Sequence, residues 1–240
     1  MAKQDPVTAK KFAALLKKAL AAHAGAEEPP PRDPIAQLIV GFLQWNATQA
    51  SAEDAFTAIM DRVIDINDLR ISHTHELVDF IGEDYPDAAV RVIRMRESLN
   101  AVYKIEHDIH MHSIAGKGKK EQRTYLDVLE GMTPYVAAQV TLMSFGGHAM
   151  PIDEKLCALL IGAGCLDEGT SPPEAEAYLT RQVKAGDALE AHLALQAWAD
   201  TQADPRDQAA APSAAATATK TKKTTKKKTA KKKVVRTKKK

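Results

Sequence analysis

Cysteine is scarce in this chain, since Cys157 and Cys165 are the only two among 240 residues. Two cysteines exclude, within the chain, a disulfide scaffold, a four-cysteine zinc module and a four-cysteine iron–sulfur cluster. No apolar run approaches the roughly 20 residues that a membrane-spanning helix needs, and the N-terminus lacks the pattern of a signal peptide. Alternating strand patterns and Asn-Gly hairpin signals are also missing. We therefore expect a cytoplasmic, all-α protein that keeps its thiols reduced.

Charge is distributed unevenly along the chain, although the formal net charge is only +2. Residues 208–240 carry 13 positive charges and no acidic residue. Residues 21–207 carry 15 basic and 30 acidic groups, a net charge of −15. The first twenty residues are basic again, with five lysines and one aspartate. The sequence thus predicts an acidic body with two basic ends.

The sequence predicts three segments, which are residues 1–32, 33–201 and 202–240. Within the first, residues 7–23 have apolar and lysine faces at helical spacing, and consecutive prolines then predict an extended linker. The second shows helical periodicity almost throughout and has the length of one domain. We expect eight to ten short helices there. The proposed positions are 35–45, 51–64, 74–81, 86–104, 121–129, 134–144, 153–163, 173–183 and 187–198.

The third segment, residues 202–240, is dominated by alanine, threonine and lysine. This composition cannot bury enough apolar surface to offset the entropy of ordering, so we expect a disordered tail. It resembles the lysine-rich tails of linker histones and of bacterial histone-like proteins. A block of like charge favours salt-sensitive binding to a phosphate backbone over the alternative of a solubilising tail. The candidate DNA-binding lysines are Lys226, Lys227, Lys228, Lys231, Lys232 and Lys233.

The stretch LEGMTPYVA predicts two helices joined by a tight hairpin. Gly131 can adopt the left-handed conformation that ends the first helix. Thr133 then caps a second helix with Pro134 in its first turn, which leaves the amides of Tyr135 and Val136 without intrahelical partners. Such a helix start can bind a phosphate oxygen, although many similar corners are purely structural.

The hairpin and the segments around it together resemble a known family. An alanine-bearing helix follows the hairpin, then a Gly146-Gly147 turn, and then PIDEKLCALL with Asp153 at the start of another helix. This combination resembles the helix-hairpin-helix (HhH-GPD) superfamily of DNA glycosylases, which contains endonuclease III. The run at 35–54 is similar to the family's early helix and the polar loop after it. The resemblance covers about residues 33–198 and implies an endonuclease III-like helical domain.

The resemblance also implies roles for individual residues. Asp153 would be the carboxylate that activates or positions water and offsets positive charge while the N-glycosidic bond of a flipped nucleotide breaks. The alternative is that Asp153 only caps its helix. Asn46 falls near the glutamine with which the family probes DNA. The hairpin residues expected to contact DNA are Gly131, Met132, Thr133 and Tyr135.

The chain departs from the family pattern at three points. Tyr135 stands where bifunctional members carry a lysine, and a phenol cannot form the imine that drives strand cleavage. Thr133 replaces the second hairpin glycine, and the four-cysteine cluster motif is missing. We therefore expect no AP lyase activity by that route and no cofactor.

Two other clusters contain possible ligands for metal or phosphate. His107, His110 and His112 lie close together, but their spacing suits no compact helical face and no partner completes a site, so we expect no metal. The loop GKGKK lacks the spacing of a phosphate-binding P-loop. It either contacts a DNA backbone or is simply solvated. Its candidate residues are Lys117, Lys119 and Lys120.

The sequence leads to one function hypothesis and two rivals. The first is a monomeric, nucleoid-associated, monofunctional glycosylase of base-excision repair, which acts on double-stranded DNA without a membrane or small-molecule cofactor. The second is a non-catalytic DNA-binding or nucleoid-associated protein with the same fold and basic tail. The third is a helical interaction module whose tail binds RNA or ribosomes.

Overall fold

The protein is all-α over the part of the chain that its computed structural model describes, residues 6–25 and 29–206. These residues form twelve α-helices and one short 3-10 turn and include no strand, which confirms the predicted fold class. The six basic tail positions named above lie outside the described residues. The helices are α1 (Pro6–His23), α2 (Pro34–Gln44), α3 (Gln49–Met60), α4 (Ile66–Ile71), α5 (Thr74–Ile81), α6 (Ala88–Glu106), α7 (His112–Ala115), α8 (Lys119–Asp127), α9 (Pro134–Met143), α10 (Glu154–Gly162), α11 (Pro172–Gln182) and α12 (Ala188–Asp200).

Capping residues explain where several helices begin. The Asp33 carboxylate accepts hydrogen bonds from the amides of Ile35 and Ala36 at 2.9 and 3.2 Å. Helix α2 therefore starts directly after Asp33. Several predicted boundaries were wrong by two residues or more, among them those of α3, α6 and α8. Helix α3 starts earlier because the hydroxyl of Thr48 provides its cap, and α6 starts two residues later because Asp87 is left-handed, with φ of 53°.

Two short helices were missed by the sequence interpretation. Residues 33–201 contain eleven α-helices rather than eight to ten, because α4 and α7 were not predicted. Helix α4 has six residues and α7 has four, fewer than two turns each. Segments this short show too few apolar repeats for helical periodicity to be recognised.

The buried apolar residues form two clusters that meet at α9. The first cluster contains side chains from α2 to α9, among them Phe42 and Val136. The second contains side chains from α1, α9, α10, α11 and α12, among them Phe12 and Leu156. Since α9 contributes to both clusters, the hairpin before it lies where the two halves of the molecule meet.

Helix α1 packs on α12, at the opposite end of the chain. Phe12 is 2% exposed and belongs to the second cluster, so α1 completes that half of the core. The lysine-bearing side of α1 faces solvent, as its amphipathic pattern predicts. Among the described residues, none of the helices combines the length and the hydrophobicity required to cross a membrane.

Candidate active site

The predicted hairpin connects α8 to α9 and packs closely against α6. Gly131 has φ of +77°, and a Cβ at this position would lie 2.5 Å from the carbonyl oxygen of Arg94. The Thr133 hydroxyl accepts a hydrogen bond from the amide of Val136 at 3.2 Å, with Pro134 as the first helical residue. The local conformation is therefore the one that the glycine, threonine and proline pattern predicts.

Asp153 caps α10 and is nearly inaccessible, with 3% of its surface exposed. Its Oδ1 accepts a hydrogen bond from the amide of Leu156 at 2.7 Å. Its Oδ2 accepts a second one from the amide of Asn46, in the loop after α2, at 2.9 Å. The carboxylate is thus a helix cap, but it is also bonded to a loop that is distant in the sequence.

Burial controls the protonation of Asp153. Removal from water raises the pKa of this carboxyl above its ordinary value, and the hydrogen bonds from Leu156 and Asn46 lower it in part. The neighbouring Glu154 raises the pKa further, whereas the positive charge of Arg206 lowers it. A carboxylate with a raised pKa accepts a proton more readily than an exposed aspartate does.

A narrow cleft of about 190 Å³ lies between the hairpin and the start of α10. Asp153 lines it together with Thr133, Pro134 and Tyr135, and Trp45 and Arg94 line it as well. The cleft is smaller than the pockets that hold drug-sized ligands, and its volume suits one small planar or sugar-sized group. The structure therefore brings the predicted carboxylate and the predicted hairpin to the same cleft.

Positive charge at the cleft comes from arginines on α6 rather than from lysines. The guanidinium of Arg94 lies 5.8 Å from the ring centroid of Trp45, and its Nη1 is 3.4 Å from the carbonyl oxygen of Gly131. Arg91 is fully buried behind the cleft and donates hydrogen bonds to the carbonyl oxygens of Phe42 and Leu43. Neither arginine was predicted, because their positions depend on how α6 packs against α2 and the hairpin.

Tyr135 extends into the protein from the first turn of α9 and is 2% exposed. Its hydroxyl has no hydrogen-bond partner among the described residues. Burial raises the pKa of this phenol well above its ordinary value, and the negative charges of Asp153 and Asp200 act in the same direction. Tyr135 therefore stays protonated at neutral pH and can serve as a donor but not as a nucleophile.

Asn46 occupies a different environment from the DNA-probing position that the resemblance implies. It is 7% exposed, and its side-chain amide is bonded to α10 instead of facing solvent. Its Nδ2 donates to Glu154 Oε2 at 2.8 Å, and its Oδ1 accepts from the amide of Lys155 at 3.1 Å. A direct contact with DNA would require both bonds to break.

The loop lysines lie away from the cleft. Lys117, Lys119 and Lys120 are at the start of α8, whereas the hairpin follows the end of this nine-residue helix, roughly 13 Å further along. The amine of Lys119 donates a hydrogen bond to the carbonyl oxygen of Phe145. These lysines consequently form a separate basic edge of the molecule.

The histidine cluster does not bring three ligands together in the described part of the chain. The rings of His110 and His112 stack with their centroids 4.1 Å apart, and His110 Nδ1 is 3.6 Å from Glu106 Oε2. Within residues 6–25 and 29–206, no group of three or more histidine, cysteine or acidic side chains has the geometry of a metal site.

Two helical halves meet at α9, and the hairpin before α9 lines the same cleft as the buried carboxylate of Asp153. The structure superimposes on endonuclease III in a trapped covalent DNA intermediate with a TM-score of 0.60 and 16% identity, covering 82% of this chain and 85% of that chain. It matches a thermostable thymine-DNA glycosylase with a TM-score of 0.58 and 17% identity, covering 83% and 89% of the two chains. It also matches the 8-oxoguanine glycosylase/lyase of Clostridium acetobutylicum with a TM-score of 0.61 and 15% identity, covering 82% and 70%.

These similarities establish the endonuclease III-like fold that the sequence predicts. The sequence itself matches no family model and no curated protein. Identities of 15–17% mean that the fold is shared while most side chains differ.

Proposed function

We propose that this protein is a DNA glycosylase that hydrolyses the N-glycosidic bond of a damaged or mismatched base. The observation that carries this proposal is the position of Asp153, whose buried carboxylate lines a cleft together with the hairpin before α9. The proteins with a similar fold include endonuclease III bound to DNA and two other DNA glycosylases. The similarity of the fold and the position of the carboxylate therefore both support hydrolysis of the N-glycosidic bond.

In this proposal, a nucleotide rotated out of the duplex places its sugar beside Asp153. As the bond between C1′ and the base breaks, the sugar becomes positively charged and the carboxylate offsets that charge. Each oxygen of Asp153 accepts one backbone hydrogen bond and therefore keeps a lone pair for water. The water loses a proton to the carboxylate as its oxygen bonds to C1′, and Asp153 then gives this proton up through solvent to the released base, which restores the carboxylate.

The hairpin and Arg94 would hold the strand while this occurs. The first turn of α9 lines the cleft, and the N-terminal end of a helix attracts a phosphate oxygen. Arg94 adds a positive charge at the same cleft. Phosphate binding here would orient the flipped nucleotide without reading its base.

The proposed product is an intact strand with an abasic site. No lysine lines the cleft in the described part of the chain, and Tyr135 cannot form an imine. We therefore propose hydrolysis at the cleft without AP lyase chemistry there.

The rival proposal is a DNA-binding protein without catalysis, and two observations favour it. Residues 21–207 carry a net charge of −15, which is unusual for an enzyme that closes on DNA. Asp153 also satisfies a purely structural requirement as the cap of α10. Under this proposal, the fold would recognise distorted duplex and the tail would supply affinity.

The test is base release from duplexes that contain uracil, an alkylated purine, oxidised guanine or mismatched adenine, followed by alkaline cleavage. We expect alkali-dependent cleavage of one substrate and a loss of about 100-fold or more in Asp153→Asn. The asparagine oxygen can keep the cap on the Leu156 amide but the bond from the Asn46 amide is lost, so thermal denaturation checks that the variant is folded. Glu168→Gln, at an exposed acidic residue, is the matched control and should keep full activity.

The outcomes separate the two proposals. DNA binding without product from any of these substrates would favour the non-catalytic protein. Product formation at the same rate in wild type and Asp153→Asn would remove the carboxylate from the mechanism.

A further inference from the structure

We propose that Asn46 and Glu154 are positioning residues that hold the Asp153 carboxylate in the cleft by joining the loop after α2 to the start of α10. This inference rests on the proposed glycosylase function and names two further residues that the reaction would need. Neither side chain has to touch DNA in this role.

Asn46 contacts three consecutive residues, which are the cap of α10 and the first two residues of this helix. Its backbone amide donates to Asp153 Oδ2 at 2.9 Å. Its side chain accepts from the amide of Lys155 at 3.1 Å and donates to Glu154 Oε2 at 2.8 Å. Because the Lys155 amide belongs to the first helical turn, it has no partner within α10. Asn46 therefore supplies a second cap from a different part of the chain.

The backbone of Asn46 is specialised for this contact. Its φ of 58° is left-handed, a conformation that asparagine tolerates better than most residues other than glycine. Non-glycine residues persist there only where surrounding interactions hold them. The two side-chain hydrogen bonds of Asn46 stabilise this left-handed conformation. In this conformation the backbone amide of Asn46 points toward Asp153.

Glu154 completes the connection from the opposite side. A single oxygen, Oε2, accepts hydrogen bonds from Trp45 Nε1 at 2.9 Å and from Asn46 Nδ2 at 2.8 Å. Helix α2 belongs to the first apolar cluster and α10 to the second. The Asn46–Glu154 pair consequently fixes one half of the molecule against the other at the edge of the cleft.

The far end of the same loop is held independently. The amide of Gln49 donates to Asp200 Oδ2 at 2.9 Å, which ties the start of α3 to the end of α12. The loop between α2 and α3 therefore stays anchored when the Asn46–Glu154 pair is broken. Substitutions in the pair should change the orientation of Asp153 without unfolding the protein.

The test uses an exchange of donor and acceptor between the two positions. Asn46→Asp keeps an acceptor for the Lys155 amide but places a second carboxylate against Glu154. Glu154→Gln removes the charge but keeps a side-chain oxygen that can accept from Asn46 Nδ2 and Trp45 Nε1, so it is the milder single variant. In the double variant, the new glutamine can donate to the new aspartate and still accept from Trp45 Nε1, so the connection is restored with the same total charge.

We expect kcat for base excision to fall about tenfold in Asn46→Asp and less in Glu154→Gln, with KM changed less than about threefold in both, because misorientation affects the reacting geometry rather than binding. The double variant should recover to within about threefold of wild type. Glu76→Gln is the matched control, since it makes the same change at a residue that accepts a hydrogen bond from a backbone amide, at the start of α5 and away from the cleft. A purely structural role would lower thermal stability in step with activity and would leave no split between kcat and KM.

A second measurement needs no substrate. Titration of the Asp153 carboxyl by carbon-13 NMR should show a higher pKa in Asn46→Gly, which tolerates the left-handed backbone and adds no charge but releases the backbone amide that lowers this pKa. If this coupling is found in a protein that excises no base, the positioning inference stands and the proposed function fails. Unchanged Asp153 titration in Asn46→Gly, or a double variant no better than the worse single one, overturns the inference in either case.

Discussion

Ionisable side chains that are buried in the protein are compensated in different ways. Arg91 donates to the carbonyl oxygens of Phe42 and Leu43 at the end of α2 and to that of Pro86. These carbonyls lack intrahelical donors or lie in a loop, so they provide the partners that a buried guanidinium needs. Asp153 is compensated by two amides. His192 has no such compensation at Nδ1 among the described residues.

His192 should make the stability of the protein depend on pH. Burial lowers the pKa of its imidazole from 6.5 to about 4, so the folded protein holds it neutral. In the unfolded chain it takes up a proton below pH 6.5, and the stability that is fully present above this pH is lost as pH falls toward 4. The pKa of His192 differs by about 2.5 between the unfolded and the folded protein, and this difference corresponds to about 3 kcal/mol of the free energy of unfolding.

Urea denaturation at pH 7 and pH 4.5 measures this loss, and the His192→Gln variant isolates it. We expect the variant to lose clearly less stability than wild type over this interval, because glutamine does not titrate. His23→Gln, near the exposed end of α1, is the control. Equal pH dependence in wild type and His192→Gln would contradict the prediction.

At the scale of elements, the hairpin depends on close contact between its turn and α6. A Cβ on Gly131 would lie 2.7 Å from the Cβ of Glu97 as well as 2.5 Å from the Arg94 carbonyl oxygen. Real Cβ atoms do not approach other heavy atoms this closely, and the left-handed backbone adds strain of about 1–3 kcal/mol. The hairpin can therefore take its position only with glycine there.

We expect Gly131→Ala to lower the free energy of unfolding by about 2 kcal/mol or more and to weaken DNA binding through displacement of the hairpin. Chemical denaturation measures the first effect and fluorescence anisotropy the second. Gly162→Ala is the control, because a Cβ there meets no atom within 4 Å and alanine favours the helix. If both variants have the same free energy of unfolding, the close contact between Gly131 and α6 does not stabilise the hairpin.

At the scale of the whole molecule, we expect the acidic body, residues 21–207, and the basic segment 208–240 to act on DNA in opposite directions. The body repels phosphate at long range, while 13 positive charges in 33 residues attract it. Binding through such a segment releases counterions and therefore weakens steeply with salt. The affinity of the complete chain should reflect the segment more than the body.

Replacing residues 208–240 with neutral alanine, serine and threonine residues of equal number should lower DNA affinity at low salt. It should also flatten the slope of log Kd against log salt concentration. Exchange of all tail lysines for arginine keeps the charge and should preserve both quantities. Undiminished affinity of the neutral variant at low salt would show that the segment does not bind DNA.

Helix positions were largely predictable because their signals are local. Capping residues, prolines in first turns and apolar repeats act within a few neighbours, and α5 and the hairpin into α9 lie where the sequence predicts them. The resemblance predicted the fold, and it brought Asp153 to notice. It did not reveal that Asn46 faces α10, since that contact joins residues 108 positions apart.

The sequence alone determined the all-α class, the turn at Gly131 and the charge contrast between body and tail, because each depends on composition or on adjacent residues. Only the tertiary structure decided which groups share the cleft. Burial of Asp153, the approach of Arg94 and the connection from Asn46 to Glu154 arise when two apolar clusters pack against opposite sides of α9. Such packing depends on contacts between distant segments, which no local pattern specifies.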